Sequence, residues 1–193
     1  GWFGKSTHNG GMDKLGHAWT TYVVTELLAE RMQANSNGLS GAHITAATLA
    51  FALMVGVEFA DGYTKAYGFS REDVAANAAG AALALLRGAF PKLRDVMDYR
   101  MMVTPPGYER PGVTLGGTHV LPPYRRQRFI LAIKGSGFEA LARTPARYLE
   151  LQLGYDARGF HREEKKLGYK KEQNFYVGIG LNLSELLFAE GPV

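Results

Sequence analysis

The chain has 193 residues (21.1 kDa), 46% of them hydrophobic and 21% charged, with a formal net charge of +4. That balance excludes wholesale disorder and a fibrous repeat, and it is too polar for a chain built mostly of transmembrane helix. The absence of cysteine removes disulfides, thiolate metal sites and cysteine nucleophiles.

The chain opens on Gly1 rather than Met, as it would after loss of a signal or anchor segment, and the 193 residues themselves contain no signal peptide. The first expected helix comes after the turn signal Asn9-Gly10-Gly11 and runs from about Met12 to Gln33, with Leu15, Trp19, Tyr22, Val23 and Leu27 forming an apolar stripe. The Asn/Ser/Gly-rich stretch from Ala34 to Gly41 ends it. A second helix, about Ala42 to Ala60, is apolar nearly all round from Ile44 to Val57, so it belongs in a core or in lipid. Its cleanly apolar run is shorter than the roughly 20 residues a bilayer needs, which favours the core. Ser70 caps the third helix, with Asp73 in the capping-box position. Its Ala/Gly-rich body (Ala75, Ala76, Ala79, Gly80, Ala82) admits close approach of a neighbouring backbone. A fourth short helix is expected from about Lys92 to Met102.

Beyond this point the period changes to two. Leu149, Leu151 and Leu153 alternate with Tyr148, Glu150 and Gln152, and Phe175, Val177, Ile179, Leu181 and Leu183 alternate with Tyr176, Gly178, Gly180 and Asn182. These are two strands, with a weaker third at Arg128 to Lys134 and an exposed charged loop from His161 to Lys171. The apolar set of the last strand is expected to pack and its polar set to face out. Three strands are too few to close a barrel. The expected fold is α+β: a bundle of three to four helices over residues 1–103, a Pro/Gly-rich crossing at 104–124 that holds five of the eight prolines, and a small antiparallel sheet of about three strands within 125–193, packed with or beside the helices. Residues 1–100 carry nine Lys/Arg against nine Asp/Glu and residues 101–193 thirteen against nine, so the charge excess lies entirely in the second part.

Polar residues gather at the ends of the apolar helices. Asp13 and His17 are four apart, Glu58 and Asp61 three apart, and Asp73 and Asn77 four apart, so each pair shares a helix face. Antiparallel packing would bring these ends together. Oxygen donors with one imidazole suit a divalent metal, with Asp13, His17, Glu58 and Asp61 as candidate ligands, or a paired acid and base. The plainer reading is a structural polar network in which Asp73 caps, Asp13 meets a positive helix end and His17 is a hydrogen-bonded core residue. Lys14 lies about 100° from Asp13 around the helix and is expected to partner another segment. Gly178-Ile179-Gly180 lacks the third glycine of a dinucleotide loop, and no Walker loop or Gly-x-Ser-x-Gly is present, so these motifs name no cofactor and leave it unknown. Arg125, Arg126 and Arg128 form a basic run that could meet anionic lipid or a partner. Without interleaved aromatic residues it is a poor nucleic-acid footprint, and no nucleic-acid partner is expected.

Trp2-Phe3-Gly4, Asn9-Gly10-Gly11-Met12-Asp13-Lys14-Leu15-Gly16-His17-Ala18, Glu58-Phe59-Ala60-Asp61-Gly62-Tyr63 and Gly68-Phe69-Ser70-x-x-Asp73-x-x-x-Asn77-x-x-Gly80 together resemble the YfiM-like predicted periplasmic lipoproteins of the bacterial envelope. More distantly, the order Asp-Lys-x-x-His, Glu, Asp-x-x-x-Asn-x-x-Gly is similar to VanZ-like membrane proteins. The strands from Tyr148 to Tyr155 and from Tyr176 to Leu183 resemble the longer members. The resemblance implies the periplasmic side of the envelope, close to the outer membrane, and no particular activity. The chain departs from a lipoprotein in having no N-terminal cysteine. The leading expectation is a non-enzymatic envelope protein whose partner is membrane lipid or a membrane-embedded assembly. The rival is a metal- or acid/base-dependent hydrolase or transferase acting on a lipid or cell-wall headgroup.

Overall fold

Three long helices are laid out by glycines and one serine cap. Gly10 and Gly11, with φ of 63° and 90°, turn the chain into helix α1, Met12–Asn35. Gly41, also left-handed, precedes α2, Ala42–Gly62. The Ser70 hydroxyl accepts from the Asp73 N–H at 3.2 Å and opens α3, Arg71–Ala89. A short helix α4, Lys92–Val96, leads into strand β1, Met97–Val103. Then come β2, Gln127–Lys134, β3, Leu149–Arg158, helix α5, Arg162–Lys166, β4, Glu172–Leu181, and helix α6, Leu183–Phe188. This computed structural model describes residues 1–7, 9–35, 41–63, 68–105 and 122–188. Most of the Pro/Gly-rich crossing therefore lies outside the described residues. The fold is α+β, and the chain divides into two compact units: Gly1–Gly4 with Asp13–Phe90, and Lys5–Met12 with Pro91–Val193.

Within the helical unit the small residues do the packing. Ala42, Ala46, Ala47 and Ala50 of α2 are buried, while the larger Ile44, Leu49, Leu53, Val57 and Phe59 point outward, Ile44 at 66% exposure and Leu53 at 60%. A Cβ at Gly80 would lie 2.0 Å from the Ala18 carbonyl oxygen, so α3 approaches α1 closely enough that only glycine fits. The apolar character of α2 thus corresponds to an Ala seam rather than to a core of large side chains. Among the described residues, α2 is the one helix long and apolar enough to cross a membrane, by length and composition.

In the second unit the four strands form an antiparallel sheet in the order β1-β2-β3-β4. The expected fourth helix stops at Val96, and its remainder is the extra strand. Met97, Tyr99 and Met101 alternate with Asp98, Arg100 and Met102, a period-two pattern that the helical reading overlooked, and β1 is held by seven residue pairs with β2. The charged loop after β3 contains α5, closed by a capping box in which His161 accepts from the Glu163 N–H and Glu164 accepts from the His161 N–H. The alternation along β3 and β4 is present, but its orientation is reversed from expectation. Phe175, Val177, Ile179 and Leu181 are exposed, Ile179 at 79%, whereas Asn182 is buried at 5%. Leu183 has left the strand and opens α6.

Candidate functional site

α1 carries a polar stripe at four-residue spacing, Asp13, His17, Thr21 and Thr25. α2 contributes Glu58 in its last turn, and α3 contributes Asp73 and Asn77 in its first two turns. These side chains meet at one end of the helical unit. The Lys14 ammonium lies 2.7 Å from Asp13 and 2.9 Å from Asp73. His17 Nε2 lies 3.3 Å from the Glu58 carboxylate. Deeper in, the Thr21 hydroxyl donates to Asn77 Oδ1 at 2.8 Å while lying 2.9 Å from the His17 carbonyl oxygen. Glu58, Thr21, Thr25 and Asn77 are almost wholly buried.

The electrostatics follow from this crowding. Burial pushes the Glu58 carboxyl above the usual carboxylate range; His17 and the Ser70 backbone N–H pull it down, and the charges of Asp73 and Asp61 add to the rise. Burial pulls Lys14 down, but hydrogen bonds and attraction from Asp13 and Asp73 outweigh it, so its pKa sits above the ordinary lysine value. Buried carboxylates are costly unless paired, and Lys14 with His17 supplies the pairing.

All of the sequence-selected cluster residues can be placed. Asp13, His17, Glu58, Asp73 and Asn77 lie in the network, and half-buried Asp61 adds its charge from one turn beyond Glu58. One ligand atom each from His17, Glu58 and Asp73 falls within 4.8 Å of the others, a spacing that could hold an ion. The described cluster does not include Asp13 or Asp61 in that triad. Sequence reasoning missed Thr21, although its i+4 relation to His17 continues the polar stripe. Lys14 does partner another segment, Asp73 of α3, but against expectation its stem also reaches its neighbour Asp13.

The three arginines are in the second unit and are engaged there. Arg125 lies 3.0 Å from His161 Nδ1 and 3.3 Å from Glu163. Arg126 donates twice to the Thr104 carbonyl, at 2.9 and 2.7 Å. Arg128 pairs with Asp156 at 3.1 Å and lies 4.0 Å over the Tyr176 ring.

Residues 1–89 match the model of a family described as "Predicted periplasmic lipoprotein (DUF2279)". The matched stretch takes in α1, α2 and α3, and so contains every residue of the polar cluster. The description supports a place on the periplasmic side of the envelope; it does not reach the narrower YfiM-like and VanZ-like resemblances. No curated protein and no solved structure matches the chain.

Proposed function

We propose that this chain, with its first 89 residues in a family of predicted periplasmic lipoproteins, is a non-enzymatic envelope protein that associates with the outer membrane, or with an assembly embedded in it, through apolar surface. The observation that carries this reading is the outward set on α2: Ile44, Leu49, Leu53, Val57 and Phe59 are exposed while the alanine seam packs inward. Exposed apolar residues grouped on one element mark a membrane or protein contact. Charge has a lesser part, because Arg125, Arg126 and Arg128 are already bonded within their unit, and contact with anionic headgroups would compete with those bonds. Exposed charge is in any case screened within about 8 Å at physiological salt.

The polar cluster supports the same reading. Lys14 already places a cation between Asp13 and Asp73, and His17 faces Glu58, so the group works as a lock joining three helices. The His17–Glu58–Asp73 spacing is what favours the second reading, a metal- or acid/base-dependent hydrolase or transferase on a lipid or cell-wall headgroup. Liposome flotation tests the first reading. Wild type should float at high salt, and an environment-sensitive fluorophore on a single cysteine at Leu53 should report a non-aqueous setting in the bound protein. Failure to float, or a Leu53 probe that stays in water while the protein floats, would refute docking through α2. Elemental analysis tests the second reading, which predicts an ion that His17→Ala removes.

A further inference from the structure

The sheet is inside out for a protein surrounded by water. Its register sets Phe175, Val177, Ile179 and Leu181 of β4 beside Tyr155, Leu153, Leu151 and Leu149 of β3. Those in turn lie beside Phe129, Leu131 and Ile133 of β2. Every one of these side chains is Leu, Ile, Val, Phe or Tyr, and all share one face of the sheet. On β4 the four apolar residues are 57% to 81% exposed.

The opposite face carries the charges, and they are paired. Arg100 donates to both carboxylate oxygens of Glu150, at 2.8 and 3.0 Å, and to Asp98 at 2.8 Å. Gln152 donates to Glu150 at 2.6 Å. Asp156 collects Arg128, Tyr176 at 2.9 Å and Asn174 at 2.8 Å. Glu150 and Asp156 are almost completely buried. An antiparallel sheet in water buries its apolar face and wets its polar one; here the ionic network around Glu150 and Asp156 is buried, and the apolar face is open along β4 and at Leu149, Leu151 and Leu153, while Phe129 and Tyr155 are covered.

We propose that this apolar face is a lipid-facing wall, seated against the acyl chains of a bilayer. Two features of the sheet point to hydrocarbon. First, β3 and β4 are each ten residues long, and a tilted strand of about 9–11 residues crosses the hydrocarbon core. Second, the alternation is apolar outward and polar inward, with the inward charges paired to one another, the pattern of an outer-membrane barrel strand. Four strands cannot close a barrel, and hydrocarbon tolerates no open sheet edge. The edge strands β1 and β4 therefore take further strands in the membrane.

This inference rests on the envelope reading above but uses a different surface from α2. The absence of cysteine allows the test by single-cysteine nitroxide labelling of the full chain, reconstituted in phosphatidylethanolamine/phosphatidylglycerol vesicles. Labels are placed at Val177 and Ile179 on the apolar face, at Gly178 on the polar face and at Leu53 on α2. Val177, Ile179 and Leu53 are exposed, and a Cβ at Gly178 meets nothing within 4 Å, so each site admits a label. Circular dichroism checks the fold of each variant. Labels at Val177 and Ile179 should collide with oxygen and be shielded from a water-soluble nickel chelate, with the reverse at Gly178. Nickel access at Val177 and Ile179 equal to that at Gly178 would overturn the proposal. So would shielding of those two sites from both reagents, which would mean that protein covers the face. Leu53 separates the two readings: lipid contact at Leu53 with water at Val177 removes the sheet wall and keeps α2 docking, and the converse result removes α2 docking alone.

Discussion

His17 and Glu58 show how a single pair decides between a lock and a reactive centre. Glu58 is 2% exposed and faces His17 at 3.3 Å, with Asp73 and Asp61 contributing like charge nearby. Removing the imidazole leaves a buried acid without its partner, so His17→Ala should lower stability by about 3 kcal/mol. Thermal melts beside elemental analysis provide the check: the lock predicts a lower melting temperature with unchanged metal content, whereas a metal site predicts loss of an ion with little change in stability. The acid also gives a pH signature. Its ordinary value is 4.5 and its folded value is higher, so the folded chain keeps a proton where the unfolded chain has released it. The stability this contributes is full below about pH 4.5 and is lost as pH rises through the folded value. Glu58→Gln should flatten that decline in urea midpoints measured from acid to neutral pH. At this scale the spacing of Asp13, His17, Glu58, Asp73 and Asn77 was enough to anticipate convergence, because helix periodicity fixes which residues share a face. That Lys14 partners another segment was legible, but neither the choice of Asp73 nor the contact with Asp13 was, since its flexible stem takes a direction that depends on the packing of α3 against α1.

Among the elements, the small residues separate seam from surface. Gly80→Ala would drive a Cβ to 2.0 Å from the Ala18 carbonyl oxygen, and forcing the backbones apart should cost about 1–3 kcal/mol. At Gly56 of α2 a Cβ meets nothing within 4 Å, so Gly56→Ala should instead stabilise by up to about 1 kcal/mol through helix propensity. Chemical denaturation of the two variants tests the seam directly. The strands carry a second contrast. In detergent-free buffer Ile179→Asp should change stability by no more than about 0.5 kcal/mol, because its side chain is 79% exposed. Asn182→Ala should cost about 1 kcal/mol, because buried Asn182 accepts from the Glu185 N–H at the start of α6. Equal losses at both sites would contradict the observed faces. Period and strand positions were readable from the alternation of Leu149 to Tyr155 and Phe175 to Leu181. Which face is buried was not, because alternation in sequence is the same whether the apolar side meets a protein core or lipid. β1 was hidden for a related reason: the first residues of the Lys92–Met102 stretch do form helix, and the change of period falls at Met97 in its middle.

For the whole molecule, two surfaces in two units share one property. Large apolar side chains point outward from α2 and from β3–β4, while the polar residues of each unit are tied inward, by Lys14 and His17 in one and by the Arg100–Glu150 and Arg128–Asp156 pairs in the other. This pairs a surface suited to an apolar medium with an interior held by charge. The excess of +4 is too small to hold the protein to a membrane against salt, so under the proposed function attachment would fall to the apolar surfaces, which salt does not weaken. Fractionation of native envelopes, washed first in low salt and then in high salt, tests this most directly. The protein should stay in the membrane fraction through both washes and leave it only with detergent; complete release into the soluble fraction by high salt alone would contradict the account.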